Sequence, residues 1–226
     1  MTRGLIGIVG GLGPAASAYF YELLIRAVPA AQDQDHPDVL LYSRASVPDR
    51  TAFLLGQSDQ SPLPALLDTI HALDAAGASV LAIPCATAHH FYPALQAATQ
   101  TPIVNMLTET AHALQGNDCV GLLATDGTLH SGAFAAALAA AGLRVLVPDA
   151  PTQQALMALI YAIKAGHAPA LDELHALADT LFAAGAQKVI LGCTELSLFA
   201  RDFALDSRYV DAMAILAQRT LAALHA

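Results

Sequence analysis

Two stretches of the chain repeat one pattern that ends in a cysteine. Ala75-Ala76-Gly77-Ala78 precedes Cys85 by ten residues, and Ala183-Ala184-Gly185-Ala186 precedes Cys193 by ten residues. We interpret each stretch as a helix end with a glycine cap, an apolar strand, and a cysteine where the strand gives way to a helix. Because ligands bind at the carboxyl ends of strands in α/β folds, the repeat predicts one site with two thiols.

Composition limits the classes of partner. The 226 residues are 55% hydrophobic, which is enough for a sizeable core in one domain or two compact ones. The formal net charge is -9, and the sequence has no run of Lys or Arg, so we expect no nucleic-acid partner. A small anionic ligand stays compatible with this charge, since a local Arg or Lys can outweigh the net charge.

Cysteine usage and hydropathy indicate the compartment. Three cysteines cannot form a fully paired framework, which favours free thiols in a reducing compartment. No apolar run approaches the roughly 20 residues of a membrane helix, and Gly10, Gly11, Gly13 and Pro14 interrupt the only stretch that imitates a signal peptide. We therefore expect a cytoplasmic protein without a membrane partner, and a homodimer as the commonest closed assembly.

Hydrophobic periodicity and turn residues predict alternating strands and helices. The predicted strands are 5–9, 39–42, 79–83, 101–106, 119–123, 144–147, 188–191 and 209–210. The main predicted helices are 14–28, 63–76, 87–98 with a kink or break at Pro93, 107–115, 153–164, 171–184, and one from residue 211. This alternation is typical of an α/β fold.

Glycine spacing predicts that the chain consists of two similar units. Gly7 and Gly13 lie six residues apart, as do Gly121 and Gly127, and each pair spans a strand and its turn. A strand with a cysteine turn follows 78 residues after Gly7 and 72 residues after Gly121. The spacing therefore indicates two related α/β units that face each other.

The turn after the first strand is rich in glycine but does not match a dinucleotide fingerprint. Position 16 is Ala where G-x-G-x-x-G requires glycine, and the second strand ends in Ser43-Arg44 where an acid is expected. We interpret the turn at Gly11 as one whose backbone N–H groups face a small anion.

The cysteines admit several chemical interpretations. Cys119 lies inside a strand and is expected to be a small buried hydrophobe. Cys85 and Cys193 are expected at helix N-termini, where the dipole lowers the pKa of a thiol. Cys85 with His89 and His90 lacks zinc-site spacing, and the sequence has no Cys-x-x-Cys redox pair. Two thiols across one cleft suit the inversion of a stereocentre, in which one removes a proton and the other delivers one.

The chain resembles the cofactor-independent aspartate/glutamate racemase family, close to its aspartate racemase branch. The resembling segments run through nearly the whole chain: Gly10-Gly11-Leu12-Gly13-Pro14, Val47-Pro48-Asp49-Arg50-Thr51, Ile83-Pro84-Cys85-Ala86-Thr87-Ala88-His89, Asn105-Met106, Leu123-Ala124-Thr125-Asp126-Gly127-Thr128, Ser131-Gly132, Ile163-Lys164-Ala165-Gly166 and Leu191-Gly192-Cys193-Thr194-Glu195.

The resemblance implies two pseudo-symmetric three-layer α/β domains with parallel sheets and an active site in the cleft between them. We expect the domains to comprise residues 1–101 with 207–226, and residues 102–206. The resemblance further implies that Cys85 and Cys193 are the catalytic pair, acting on an amino-acid substrate without pyridoxal phosphate or metal.

The same resemblance assigns further residues to substrate binding. It implies that Arg50 and Lys164 hold a substrate carboxylate, which agrees with the bidentate grip of Arg on carboxylates. Thr87, Thr125 and Thr194 are expected to bind the α-carboxylate through hydroxyls and backbone N–H groups.

One acidic residue has two interpretations. Glu195 follows Cys193-Thr194 directly. It either orients the ammonium group of the substrate or serves as an acid at the start of a helix.

Ala86 departs from the pattern of the family, which usually has Asn after the first cysteine. Alanine offers no donor to a substrate carboxylate. The leading interpretation is racemisation of aspartate or glutamate. A broad-specificity amino-acid or hydantoin racemase, or a maleate isomerase-like enzyme, is the alternative. A non-catalytic dicarboxylate-binding protein is the hypothesis from another class.

Overall fold

The computed structural model describes residues 4–168 and 170–224, which form parallel strands alternating with helices. The strands are β1 Leu5–Gly10, β2 Asp38–Ser43, β3 Ala78–Ala82, β4 Ile103–Val104, β5 Cys119–Leu123, β6 Arg144–Leu146, β7 Lys188–Leu191 and β8 Tyr209–Asp211. The α-helices are α1 Pro14–Ala27, α2 Arg50–Leu54, α3 Leu63–Ala75, α4 Tyr92–Ala97, α5 Met106–Ala113, α6 Asp126–Ser131, α7 Ala133–Ala140, α8 Ala150–Lys164, α9 Leu171–Ala183, α10 Ser197–Asp202 and α11 Ala212–Leu224. Within these residues no helix is both long and apolar enough to cross a membrane.

The strands form two four-stranded sheets with the same connectivity. The first sheet has the order β2-β1-β3-β4 and the second has the order β6-β5-β7-β8, and every pairing is parallel. Cys85 follows β3 and Cys193 follows β7, which occupy the same position in the two sheets. The prediction of an α/β fold built from two related parallel-sheet units is confirmed.

Gly7 and Gly121 occupy equivalent places in the two units. A Cβ atom on Gly7 would lie 3.3 Å from the Cβ of Leu73 in α3, and one on Gly121 would lie 2.8 Å from Leu181 in α9. Each glycine therefore lets a helix pack closely on the central strand of its sheet. The matching positions of these glycines in the sequence therefore reflect the same packing of a helix on a strand in both units.

The buried apolar side chains form two clusters. The larger cluster contains side chains from both sheets, so the two units share a core. The smaller cluster lies between α3 and the first sheet, and it includes Cys85. α11 packs against α1, α5 and β3, which returns the end of the described chain to the first unit.

Strand pairing differs from the expected domain boundaries at two strands. β4 lies beyond residue 101 but pairs with β3 in the first sheet, and β8 lies beyond residue 206 but pairs with β7 in the second. The division into residues 1–101 with 207–226 and residues 102–206 therefore stays a prediction. The position of α11 agrees with it, whereas these two strands do not.

Proline and cap residues explain local details. The predicted break at Pro93 is confirmed, because a 3₁₀ turn over Thr87–Phe91 precedes α4, which has Pro93 in its first turn. Two short helices, α2 and α6, lie where the sequence analysis expected only turns. Asp49 caps α2 by accepting the N–H of Ala52, and Thr125 caps α6 by accepting the N–H of Thr128.

Candidate active site

Cys85 and Cys193 line one cavity between the two units, and only 5% and 6% of their surfaces are exposed. Nine of the ten residues assigned to the site from sequence line it: Arg50, Cys85, Ala86, Thr87, Thr125, Lys164, Cys193, Thr194 and Glu195. Leu12, Asp49, Thr51 and Gly192 also line it and were missed. The cavity measures about 10 Å³, which is room for about one water molecule. An amino acid therefore does not fit between the thiols unless residues that line the cavity move.

Cys193 is paired with a carboxylate. Its Sγ–H donates to Oε2 of Glu195 over 2.9 Å. Burial raises the pKa of Cys193 well above its usual range, and the negative charge of Glu195 raises it further, while Lys164 opposes this. The expectation of a lowered pKa was wrong for this thiol. α10 begins only at Ser197, four residues later, so the helix N-terminus does not reach the sulfur.

Glu195 lies between the thiol and a cation. Nζ of Lys164, the last residue of α8, is 3.9 Å from Oε1 of Glu195. Burial lowers the pKa of Lys164, but the charges of Glu195 and Cys193 outweigh burial and leave that pKa raised. A Cβ atom on Gly13 would lie 2.6 Å from the same Oε1, so the turn after β1 leaves space for this carboxylate. The sequence assigned Glu195 to the substrate ammonium or a helix start, and missed its bond to the thiol.

Arg50 is buried, and part of its guanidinium is hydrogen-bonded to the backbone. Its guanidinium donates to the carbonyl oxygens of Leu12 at 2.9 Å, Pro48 at 3.1 Å and Val47 at 3.3 Å. Its Nε is buried without a hydrogen-bond partner among the described residues. A guanidinium has five N–H donors, so the three bonds leave two donors beside the cavity, one of them on Nε.

Three threonine hydroxyls connect the two units. Oγ1 of Thr87 is 3.0 Å from that of Thr125 and 2.8 Å from that of Thr128, and the latter two are 3.0 Å apart. Thr87 belongs to the first unit, and Thr125 and Thr128 belong to the second. Their hydroxyls are engaged with one another, so binding of a carboxylate by Thr87 or Thr125 requires one of these bonds to break. Thr128 was missed from sequence, although its place three residues after a capping threonine was a signal for it.

His89 fixes the turn that carries Cys85. Its Nδ1 lies 2.9 Å from the carbonyl oxygen of Cys85, and its Nε2 accepts the N–H of Met106 at 3.1 Å. Burial lowers the pKa of His89 to about 4, so the ring is neutral near pH 7 and donates through Nδ1. Both ring nitrogens of His89 are therefore engaged in hydrogen bonds.

No group of three or more side chains suited to a metal occurs in the described parts of the chain.

Gly11 is the assigned residue that does not reach the cysteine cavity. Its N–H donates to Oγ of Ser17 over 2.9 Å, so this N–H is already engaged, and the role of the turn in binding an anion stays a prediction. Gly11 lines a second cavity of about 270 Å³ that adjoins the first. Cavities of about 590 Å³ and 580 Å³ flank the two edges of the first sheet, away from both thiols.

The sequence model that describes Asp/Glu/Hydantoin racemase matches residues 9–220 of the chain. The chain belongs to the Asp/Glu/hydantoin racemase family. It is therefore an enzyme of the isomerase class.

Similar proteins agree with the family assignment. The family member named broad specificity amino-acid racemase RacX, from Bacillus subtilis, is 27% identical in an alignment that covers 96% of each chain. The structure of Picrophilus torridus aspartate racemase superposes with a TM-score of 0.82 at 25% identity, covering 98% of this chain and 94% of that one. Glutamate racemase from Francisella tularensis shares the fold, with a TM-score of 0.72 at 18% identity, covering 100% of this chain and 82% of that one.

Proposed function

We propose that this family member racemises a free amino acid by moving protons between its α-carbon and two thiols. The observation that carries the proposal is that Cys85 and Cys193, from equivalent strand ends of the two units, line one cavity. Inversion needs an acid and a base on opposite faces of the carbon, and a fold with two related halves supplies one thiol from each.

The surroundings of the thiols support an assignment of starting roles. Cys193 donates its proton to Glu195 and has a raised pKa, so it begins as the acid. Cys85 is left with the role of the base, which it performs as a thiolate. The Cys85 thiolate takes the α-proton, and the electron pair left on carbon accepts the proton of Cys193 from the other face. The products are the opposite enantiomer, a Cys85 thiol and a Cys193 thiolate, so protons and charge balance. Lys164, whose charge lowers the pKa of Cys193, stabilises that thiolate.

Negative charge builds on the substrate carboxylate when the α-proton leaves. The cavity is lined by hydrogen-bond donors that can stabilise this charge. Thr194 lines the cavity directly after Cys193, and Nε of Arg50 is a buried donor that finds no partner among the residues that the structure describes. Leaving such a donor unpaired costs about 1–3 kcal/mol, which a bound carboxylate recovers. Donors placed where charge develops stabilise the transition state more than the ground state.

Aspartate and glutamate are the first substrates to consider. Arg50 and Lys164 place two positive charges beside the cavity, which Asp49 and Glu195 also line, and one of the similar structures is named an aspartate racemase. Ala86, however, lines the cavity where the family usually has an amide, and the Bacillus subtilis relative is named a broad specificity racemase. Wider specificity is therefore the second candidate.

The setting of the enzyme is part of the proposal. The three cysteines are free and buried, which suits a reducing cytoplasm. A homodimer is proposed because twofold dimers are the commonest closed assemblies, and analytical ultracentrifugation tests it.

Proton exchange tests the proposed reaction. The protein is incubated in D₂O with L-aspartate or L-glutamate, without added pyridoxal phosphate or metal, and the α-proton is followed by NMR. We expect loss of the α-proton signal together with appearance of the D-isomer. Exchange without inversion would contradict the two-thiol mechanism, and absence of exchange with these and uncharged amino acids, in folded and reduced protein, would overturn the function.

A further inference from the structure

The cavity of about 270 Å³ that adjoins the cysteine cavity has two kinds of wall. Where the two cavities meet, they share Leu12 and four charged residues: Asp49, Arg50, Lys164 and Glu195. Away from this boundary, the wall is made almost entirely of small or aliphatic residues. We name this space the side-chain pouch and define it by Leu12, Ala15, Ala45, Val47, Ile163 and Leu198.

The charged boundary has no formal excess of either sign. Arg50 and Lys164 are balanced by Asp49 and Glu195. Arg50 already donates to three carbonyl oxygens, and Lys164 lies 3.9 Å from Glu195. Both cations are therefore already engaged with protein groups. They stabilise an acidic substrate side chain less than two unpaired cations would.

The apolar wall favours a different side chain. An uncharged aliphatic side chain loses little on leaving water and gains from burial against Val47, Ile163 and Leu198. One methylene in a hydrophobic pocket changes specificity by about 10-fold to 200-fold. The pouch is therefore sensitive to side-chain length.

We propose that the substrate side chain lies in the side-chain pouch, and that the chain accepts amino acids with uncharged side chains longer than that of alanine, such as methionine and leucine. This inference rests on the proposed racemisation at Cys85 and Cys193. It assigns the pouch as the determinant of specificity, with the α-carbon held between the thiols on the other side of the charged boundary.

A substrate panel in D₂O tests the inference. Initial rates of α-proton exchange are measured for the L-isomers of alanine, methionine, leucine, aspartate and glutamate. We expect kcat/KM for methionine to exceed that for alanine by at least about tenfold. Exchange confined to aspartate and glutamate would leave the racemase function standing and overturn the pouch. Exchange with no member of the panel would overturn the racemase function itself.

A matched pair of variants locates the subsite. Ala15 and Ala18 are both exposed residues of α1, but only Ala15 lines the pouch. Ala15→Leu narrows the pouch and is expected to lower the methionine-to-alanine ratio of kcat/KM by at least about tenfold, whereas Ala18→Leu leaves that ratio unchanged. An unchanged ratio in Ala15→Leu, in a protein with normal thermal unfolding, would overturn the placement of the side chain.

Discussion

At Cys193 a thiol and a carboxylate lie 2.9 Å apart in surroundings from which most water is excluded. A negative charge so close to a buried sulfur disfavours the thiolate, and Lys164 moderates this by holding the far oxygen of Glu195. The cavity thus contains one thiol with an acidic partner. Burial and the charge of Glu195 both favour the protonated form of Cys193.

Glu195→Gln is expected to lower the pKa of Cys193, because it removes the charge that disfavours the thiolate. The pH dependence of Cys193 alkylation, followed by mass spectrometry of its peptide, should shift to lower pH. Burial still raises the pKa of Cys193 in this variant, so the thiol keeps its role as the acid and racemisation should persist. Glu109→Gln, which removes a charge paired with Arg219 at the surface, is the control. An unshifted profile in Glu195→Gln would contradict this role.

His89 links the Cys85 turn to the start of α5 as a neutral ring. Its pKa is about 4 in the folded protein, below the value of 6.5 for an exposed ring. The unfolded chain therefore binds more protons between these values, and the free energy of unfolding rises with pH across this window. A shift of this size corresponds to about 3 kcal/mol, present above pH 6.5 and lost as the pH falls to about 4.

His89→Gln is expected to remove this part of the pH dependence. The difference in unfolding free energy between pH 7 and pH 4, measured with urea, should be smaller by about 3 kcal/mol than in the unchanged protein. His90→Gln, at the adjacent exposed position, should keep the full difference. Equal pH dependence in His89→Gln and the unchanged protein would show that the ring is not the titrating group.

The sequence predicted most of the residues that line the candidate site, but not the contacts between them. Cys85 and Cys193 were recognisable because each follows a predicted strand at the same interval from an Ala-Gly cap. The bond from Cys193 to Glu195 depends on where Lys164 and Gly13 place the carboxylate, and these residues come from distant parts of the chain. Burial, followed by the charge of Glu195, reversed the expected direction of the pKa shift of Cys193.

Among the elements, the turn after β1 and helix α6 approach the opposite unit in matching ways. A Cβ atom on Gly13 would meet Glu195 of the second unit, and one on Gly127 would lie 2.7 Å from Cα of Thr51 in the first. Gly13 and Gly127, which follow Gly7 and Gly121 by six residues, thus both lie at the interface between the units. α2 packs on α6, and its residues Arg50 and Thr51 line the cysteine cavity.

Gly127→Ala is expected to push α6 away from α2, because the new methyl group would overlap the backbone of Thr51. Overpacking of this kind costs about 1–3 kcal/mol, and misplacing Thr125 and Thr128 should also lower kcat. Thermal unfolding and racemisation rates measure the two effects.

Gly142→Ala provides the comparison. Gly142 has a φ of +81° and open space around it, so alanine there should cost about 1 kcal/mol of stability and leave racemisation intact. Equal losses of activity in the two variants would contradict the special role of the contact between α2 and α6.

Most elements were predictable because apolar periodicity and caps are local signals. β5 and β7 have the predicted bounds, and the break near Pro93 follows from the geometry of proline. α2 and α6 were missed as helices because each has only five or six residues, too few for a periodic pattern. Sheet membership of β4 and β8 was not predictable, since two or three residues fix no partner strand.

In the molecule as a whole, two units with one connectivity bring equivalent strand ends to a shared cavity. The hydroxyls of Thr87, Thr125 and Thr128 join the units at this point. The shared connectivity of the units explains why each supplies one thiol. The two thiols differ in that Cys193 donates a hydrogen bond to Glu195. The central claim is that both thiols are needed to invert one carbon.

Racemisation by Cys85→Ser and Cys193→Ser tests this claim most directly, with Cys119→Ser as the control because Cys119 is buried in β5 outside the cavity. Chiral chromatography should show that each of the first two variants loses at least about 100-fold of the racemisation rate, while Cys119→Ser retains it. A wild-type racemisation rate in either Cys85→Ser or Cys193→Ser would contradict the two-thiol account.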